Sequence, residues 1–253
     1  MGDIGKRGQV TLFIIIGIAI VGVIIFLGVT KKLPFVGPGE AEKINIDECI
    51  SGSVDNALKI ILPQGGLVNP TNYYSFKGQN VAFLCYTNKF YEKCIVQEPF
   101  LEQGIKKGLE DYVGSRIKDC FYAVEQDYKD RGYYVESKPM AFSVEIMPNK
   151  ISIIINKSLI FTKGEERKVY SDFKINRASS LFYLLTAVHD AIEQEAKSCN
   201  FDQVIYGLLH PEFKIIKNTI GTEVKVYNIK SKKTGEEISF AVRGCALPNN
   251  ALD

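Results

Sequence analysis

The amino-acid sequence predicts an α+β domain of about three helices packed on antiparallel strands, carried behind a single N-terminal transmembrane helix. Three observations lead there. Val10–Val29 is a run of twenty residues without a charge, and a helix of that length, rising about 1.5 Å per residue, spans roughly 30 Å, the hydrocarbon thickness of a bilayer. Beyond it the spacing of apolar residues is three or four in residues 47–62 and 98–128, then two in residues 140–173, which are the periods of helix and strand. Helical and strand-like segments also come in runs with hairpin-length connections, which favours α+β over a parallel doubly wound sheet.

Residues 1–9 form a basic leader on the cytoplasmic side, with Lys6 and Arg7, and residues 10–30 span the membrane. A buried core helix is seldom so long and uniformly apolar. A cleaved secretory signal has a shorter apolar core and an Ala-x-Ala-like exit, which is missing after Val29. Residues 31–45 read as a stalk, because Pro34 and Pro38 remove backbone donors and Gly37 and Gly39 relax the chain. Residues 46–253 are the extracellular domain, with a candidate sub-boundary near 130–140.

Composition narrows the partners. The formal charge is +2 and no basic block stands out. Lys230 to Lys233 is interrupted by Ser231 and followed by Gly235-Glu236-Glu237, a solvated hairpin tip, so nucleic acid is not an implied partner. All six cysteines lie after the membrane segment, without a CxxC. An even set of this kind reads as structural disulfides in an oxidising exterior, which also orients the domain outward.

Along the chain, Asp47 is expected to cap a helix reaching about Leu62, with Ile50, Val54, Leu58 and Ile61 on one face. Pro63-Gln64-Gly65-Gly66 stops it. Tyr73 and Tyr74 fall in a loop with Pro70 and Asn72, where partly buried plugs are a plainer reading than sugar-stacking rings. Residues 80–98 alternate like a hairpin turning near Thr87–Lys89, which sets Cys85 opposite Cys94. A helix follows from about Glu98 to Tyr128. Cys120 lies in its apolar stripe and Cys49 borders that of the first helix, so packing of the two brings these thiols together. Cys199 and Cys245 are left to pair by elimination.

From Met140 the segments 142–146, 151–155, 159–161 and 169–173 read as an antiparallel meander, turning at Pro148-Asn149 and Lys163-Gly164-Glu165. Asn156-Lys157-Ser158 is a glycosylation sequon. A third helix is expected from near Asn176 to Ser198, then a short one in 201–209 and strands at 213–217, 224–229 and 238–243. On the third helix His189 lies beside Asp190 and four residues before Glu193. A metal site needs further ligands and His210 is the only other histidine, so a helix-surface pair is the plainer reading, and neither metal nor cofactor is implied.

The segment Lys6-Arg7-Gly8-Gln9-Val10-Thr11-Leu12-Phe13, running straight into the apolar helix, resembles the class III signal peptides of archaeal type IV pilin-like proteins. That resemblance implies cleavage between Gly8 and Gln9, leaving the helix in place. Phe13 stands where many pilins carry a glutamate that pairs with a neighbouring subunit, so processing without self-assembly is the expectation. The element order, the glycine pair and the Phe240-Ala241-Val242-Arg243-Gly244-Cys245 close are also similar to anchored surface proteins of archaea.

The expected function is that of a membrane-anchored structural or binding protein of the cell surface, a pilin-like component, whose partners are the lipid bilayer and other surface or pilus proteins. An anchored receptor or accessory subunit of an envelope complex is the alternative. An extracellular hydrolase comes third, since the chain has neither GxSxG nor HExxH.

Overall fold

Among residues 46–248, the part of the chain that the computed structural model describes, four α-helices and twelve strands follow one another. The expected transmembrane run 10–30, the expected leader 1–9 and stalk 31–45, and the Gly8–Gln9 bond lie outside the described residues. Among the described residues no helix is long and apolar enough to cross a membrane. The helices are α1 (Asp47–Ile61), α2 (Leu101–Asp130), α3 (Leu181–Ser198) and α4 (Gln203–Leu209).

The largest sheet has the order β1-β2-β12-β11-β10, made of β1 (Tyr73–Phe76), β2 (Gln79–Tyr86), β10 (Phe213–Ile220), β11 (Val224–Ser231) and β12 (Glu237–Arg243), with β3 (Ile95–Val96) paired to the end of β2. One pairing departs from the expected antiparallel pattern, since β12 runs parallel to β2, placing Val242 opposite Cys85. Two three-stranded antiparallel sheets complete the fold. One is β4 (Tyr134–Ser137), β7 (Leu159–Lys163) and β8 (Glu166–Tyr170), and the other is β5 (Ala141–Met147), β6 (Lys150–Asn156) and β9 (Phe173–Ala178).

The expected single meander over 142–173 is therefore two sheets. Its break falls at Lys157, whose buried ammonium donates to Ser137 Oγ at 2.7 Å and pairs with Glu125 at 3.2 Å, over the Phe121 ring. That anchorage turns the chain out of the β5-β6 sheet, and β9 takes the vacant edge of β6. Asn176 accordingly opens no helix. It lies in β9, accepting from Ser152 Oγ at 3.0 Å, and α3 begins at Leu181. Tyr73 and Tyr74 belong to a strand, because Lys77 and Gly78, with φ of 50° and 80°, close a two-residue hairpin between β1 and β2. The 80–98 hairpin keeps only two residues in its return strand. Its tip pairs with the chain after β12, where Cys245 N–H donates to the Glu92 carbonyl at 2.6 Å and Tyr91 N–H to that of Ala246 at 2.9 Å.

Helix α1 buries the expected face, Ile50, Val54, Leu58 and Ile61, but Asp47 is its first residue and not its cap. There Asp47 and Glu48 lie at the positive end of the helix dipole. One core cluster runs from Ile50 and Ile61 through Ile105 and Ile117 to Val188 and Phe240. It crosses the 130–140 region, since Tyr128 of α2 stacks on Phe161 of β7 at 3.9 Å. A smaller cluster of Val81, Phe83, Val224, Val226 and Ala241 occupies the other face of the large sheet. Disulfides join Cys49 to Cys120, Cys85 to Cys94 and Cys199 to Cys245, with Cα separations of 6.1, 5.3 and 5.9 Å.

After a 3-10 turn (Leu62–Gln64), Gly65 and Gly66 carry the chain between β2 and α2 at φ of +80° and +85°. A Cβ on Gly66 would stand 2.6 Å from Ile105 Cδ1, whereas one on Gly78, also at φ +80°, would meet nothing within 4 Å. Gly66→Ala should therefore lose about 2–4 kcal/mol, left-handed strain plus overpacking, and Gly78→Ala only the strain, about 1 kcal/mol. Urea unfolding of both variants checks this. Equal losses would show that Ile105 simply gives way.

Candidate functional site

Helix α3 carries apolar residues on two adjoining faces, one packed on the sheets and the other turned to a cleft. Leu181, Leu184, Ala187, Val188 and Ala191 are buried against the sheets. The adjoining stripe of Phe182, Leu185, Thr186, His189, Ile192 and Glu193, spaced by three or four, faces residues 96–103 across a cleft of ≈ 640 Å³. The opposite wall owes its shape to Pro99, which holds Glu98 extended and stops β3 from lengthening, and to Phe100, the N-cap position of α2. Phenylalanine cannot cap, so no side chain closes the helix start and the Phe100 ring stays 71% exposed at the mouth of the cleft.

Three carboxylates, Glu98, Glu102 and Glu193, line this groove and no lysine or arginine does. Glu102 binds Lys106 at 3.1 Å and Glu193 binds Lys197 at 3.4 Å, each pair one helical turn apart. The hydrogen bond that Lys106 donates to Glu102 is the main reason that its ammonium is held above its ordinary value. Glu98, half-buried, makes no ion pair among the described residues.

The sequence trio on α3 is divided between the helix's sides. His189 and Glu193 line the groove. Asp190 turns away and accepts from Tyr206 Oη at 2.8 Å, and His210 stacks on the same tyrosine at 4.3 Å, its Nδ1 3.4 Å from Glu212. Among the described residues no set of three or more His, Cys, Asp or Glu is placed to hold a metal ion. The one hydroxyl lining the groove, on Thr186, donates to the Phe182 carbonyl of its own helix at 3.1 Å. Asn156 of the sequon is exposed at the end of β6.

The covered side of α3 holds a residue that the sequence reading passed over. Glu195 is fully buried, and its carboxylate accepts from the Tyr227 hydroxyl, from Lys225 Nζ at 2.7 Å and from Phe201 N–H at 3.1 Å. Lys225 also donates to the Cys199 carbonyl. Burial, then the nearby Glu195 charge, pushes the Tyr227 phenol well up, while burial pulls the Lys217 ammonium, which lies over the Tyr227 ring, down. The signal was available: Glu195 follows Ala191 by four and Val188 by seven in the buried stripe of α3. A carboxylate at a core-facing position calls for buried donors.

The two walls of the groove are also tied to each other. Cys94 precedes β3 and is bonded to Cys85. Gly244 lies so close to Cys94 that a Cβ would stand 2.9 Å from the Cys94 Cβ and backbone nitrogen. The next residue, Cys245, is bonded to Cys199 at the end of α3.

No protein-family model matches the chain, and no curated protein matches it in sequence. What the groove can do follows from its own chemistry: apolar floor, acidic lining, exposed aromatic mouth.

Tyr206 is held high by burial and by its bond to Asp190, as Tyr227 is by burial and Glu195. Unfolded tyrosines ionise near 10. The folded chain therefore keeps protons that the unfolded chain has released, and the stability these two groups contribute is present below about pH 10 and lost above it. The urea midpoint should fall as pH rises through that range, and Tyr227→Phe should flatten part of the fall. A midpoint that stayed constant there would contradict the assignment.

Proposed function

We propose that the chain is a single-pass, membrane-anchored protein of the cell surface whose outer domain binds another envelope macromolecule through the α3 groove. The observation that carries this reading is the exposed apolar mouth: Phe100 is 71% exposed and lines the groove with Val96 and Phe182, which are exposed as well. Patches of this kind mark interaction sites. The uncharged run Val10–Val29 with its basic flanks supports the anchor. Three disulfides support an oxidising location, where such bonds persist.

Processing before Gln9, as in the pilin-like proteins the leader resembles, belongs to the same reading, and self-assembly into a pilus does not. Packing apolar helices into a filament core gains little over leaving them in lipid, unless a polar pair adds a preference. Phe13 supplies none, and Pro34 to Gly39 separates the head from the helix in sequence.

Protease added to intact cells should remove the outer domain, and the mature chain should begin at Gln9 without forming filaments when expressed alone. Full protection of the domain would reverse the topology. A chain beginning at Met1 or Gly2 would remove the pilin-like part, and abundant filaments would show that Phe13 is no obstacle.

A further inference from the structure

The geometry points to a basic polypeptide segment bearing apolar side chains as the occupant of the α3 groove. This deepens the proposed function and rests on the groove being its binding site. Charge segregation is the first argument. The whole chain is slightly positive, at +2, yet every charged side chain that lines the groove apart from His189 is a carboxylate. Glu102 and Glu193 already hold lysines outside the lining, so their charges are largely offset. Glu98 is the carboxylate left for an incoming cation. A lysine or arginine reaching it forms a charge-assisted hydrogen bond, and the exposed face of Phe100 next to it offers the same cation an aromatic surface.

Size and shape supply the second argument. A cleft of ≈ 640 Å³ holds a ligand the size of a few side chains, and its floor of Leu185, Ile192 and Phe182 suits aliphatic or aromatic ones. The exposed apolar surface of the groove reaches from Val96 and Phe100 on one wall to Phe182 on the other. A small polyamine would leave that surface in water, whereas a chain segment covers it. Acidic peptides and nucleic acid meet carboxylates and are repelled.

The test uses the full chain in nanodiscs of zwitterionic lipid, with empty nanodiscs as the blank. The probe is a short fluorescent peptide alternating lysine with leucine and phenylalanine, compared with the same peptide carrying glutamate for lysine and with spermine as competitor. The lysine peptide should bind and the glutamate peptide should not. Glu98→Gln and Phe100→Ala should each weaken binding about tenfold, Glu98→Lys should abolish it, and Glu136→Gln on β4, outside the groove, should change nothing. Equal binding of both peptides would overturn the proposal, as would indifference to Glu98→Gln and Phe100→Ala together. So would spermine competing as strongly as the peptide, or no binding at about 1 mM, the weak limit of a specific site. Failure of the proposed function reads out separately. Protection of the domain on intact cells would sink the surface location and leave peptide selectivity untouched, while an exposed domain without that selectivity would sink the occupant alone.

Discussion

The buried carboxylate of Glu195 decides where α3 lies, and much of the fold follows from α3. Removing one partner from a buried ion typically costs about 3–5 kcal/mol, so this glutamate fits only where several donors converge. Lys225 and Tyr227 stand two residues apart on β11 and share one face, and Phe201 N–H arrives from the reversal after the helix. These donors fix the point at which α3 crosses the large sheet. They also fix its end. Lys225 holds the Cys199 carbonyl, Cys199 leaves the helix at φ 59°, and two residues after Asn200 the Asp202 carboxylate caps α4 by accepting from Val204 and Ile205 N–H at 3.0 Å. The groove wall is the adjoining face of the same helix, so a misplaced Glu195 would misplace Phe182 and His189 as well.

The helices were legible because their apolar spacing survives folding: the expected face of α1 is buried, and in α2 Ile105, Leu109, Val113, Ile117 and Cys120, three or four apart, are buried too. Local hairpins were legible for the same reason, with Asn149 and Gly164 at positive φ in the expected turns. What could not be read was pairing between distant segments. The β12–β2 contact joins strands from opposite ends of the domain, and periodicity carries no information about such partners. A trace existed in the near-continuous apolar runs Val81–Cys85 and Ile238–Val242, which mark strands covered on both faces. The break at Lys157 was hidden for another reason. A lysine between polar neighbours reads as surface, and only the convergence of Glu125, Ser137 and Phe121 makes it a core residue.

The groove was half legible. His189 and Glu193 stood out as a pair on one helix face and read as a surface pair, with nothing in their spacing to mark the groove that they line. Their actual setting comes from residues 96–103, whose approach to α3 depends on the short return strand β3 and on Pro99. Phe100 illustrates why sequence alone misleads here. An aromatic residue just before an amphipathic helix reads as a core anchor, yet at the N-cap position its side chain is directed outside the helix's buried stripe and ends largely in solvent.

An apolar cleft open to water tends to close on itself, because every contact between its walls removes surface from solvent. Here each wall is fastened at one end by a disulfide. Cys85–Cys94 fastens the start of the 96–103 wall to β2, and Cys199–Cys245 fastens the end of α3 to the chain after β12, closing loops with sequence separations of 9 and 46 residues. In the chain-entropy account these closures are worth roughly 2.5 and 4 kcal/mol. Gly244 joins the two, packed on Cys94 with no room for a side chain and followed at once by Cys245. The two walls are thereby linked through two disulfides and one glycine contact. A groove held open in this way has already lost the freedom that a flexible site would lose on binding, so an occupant keeps more of the free energy gained at Glu98 and Phe100.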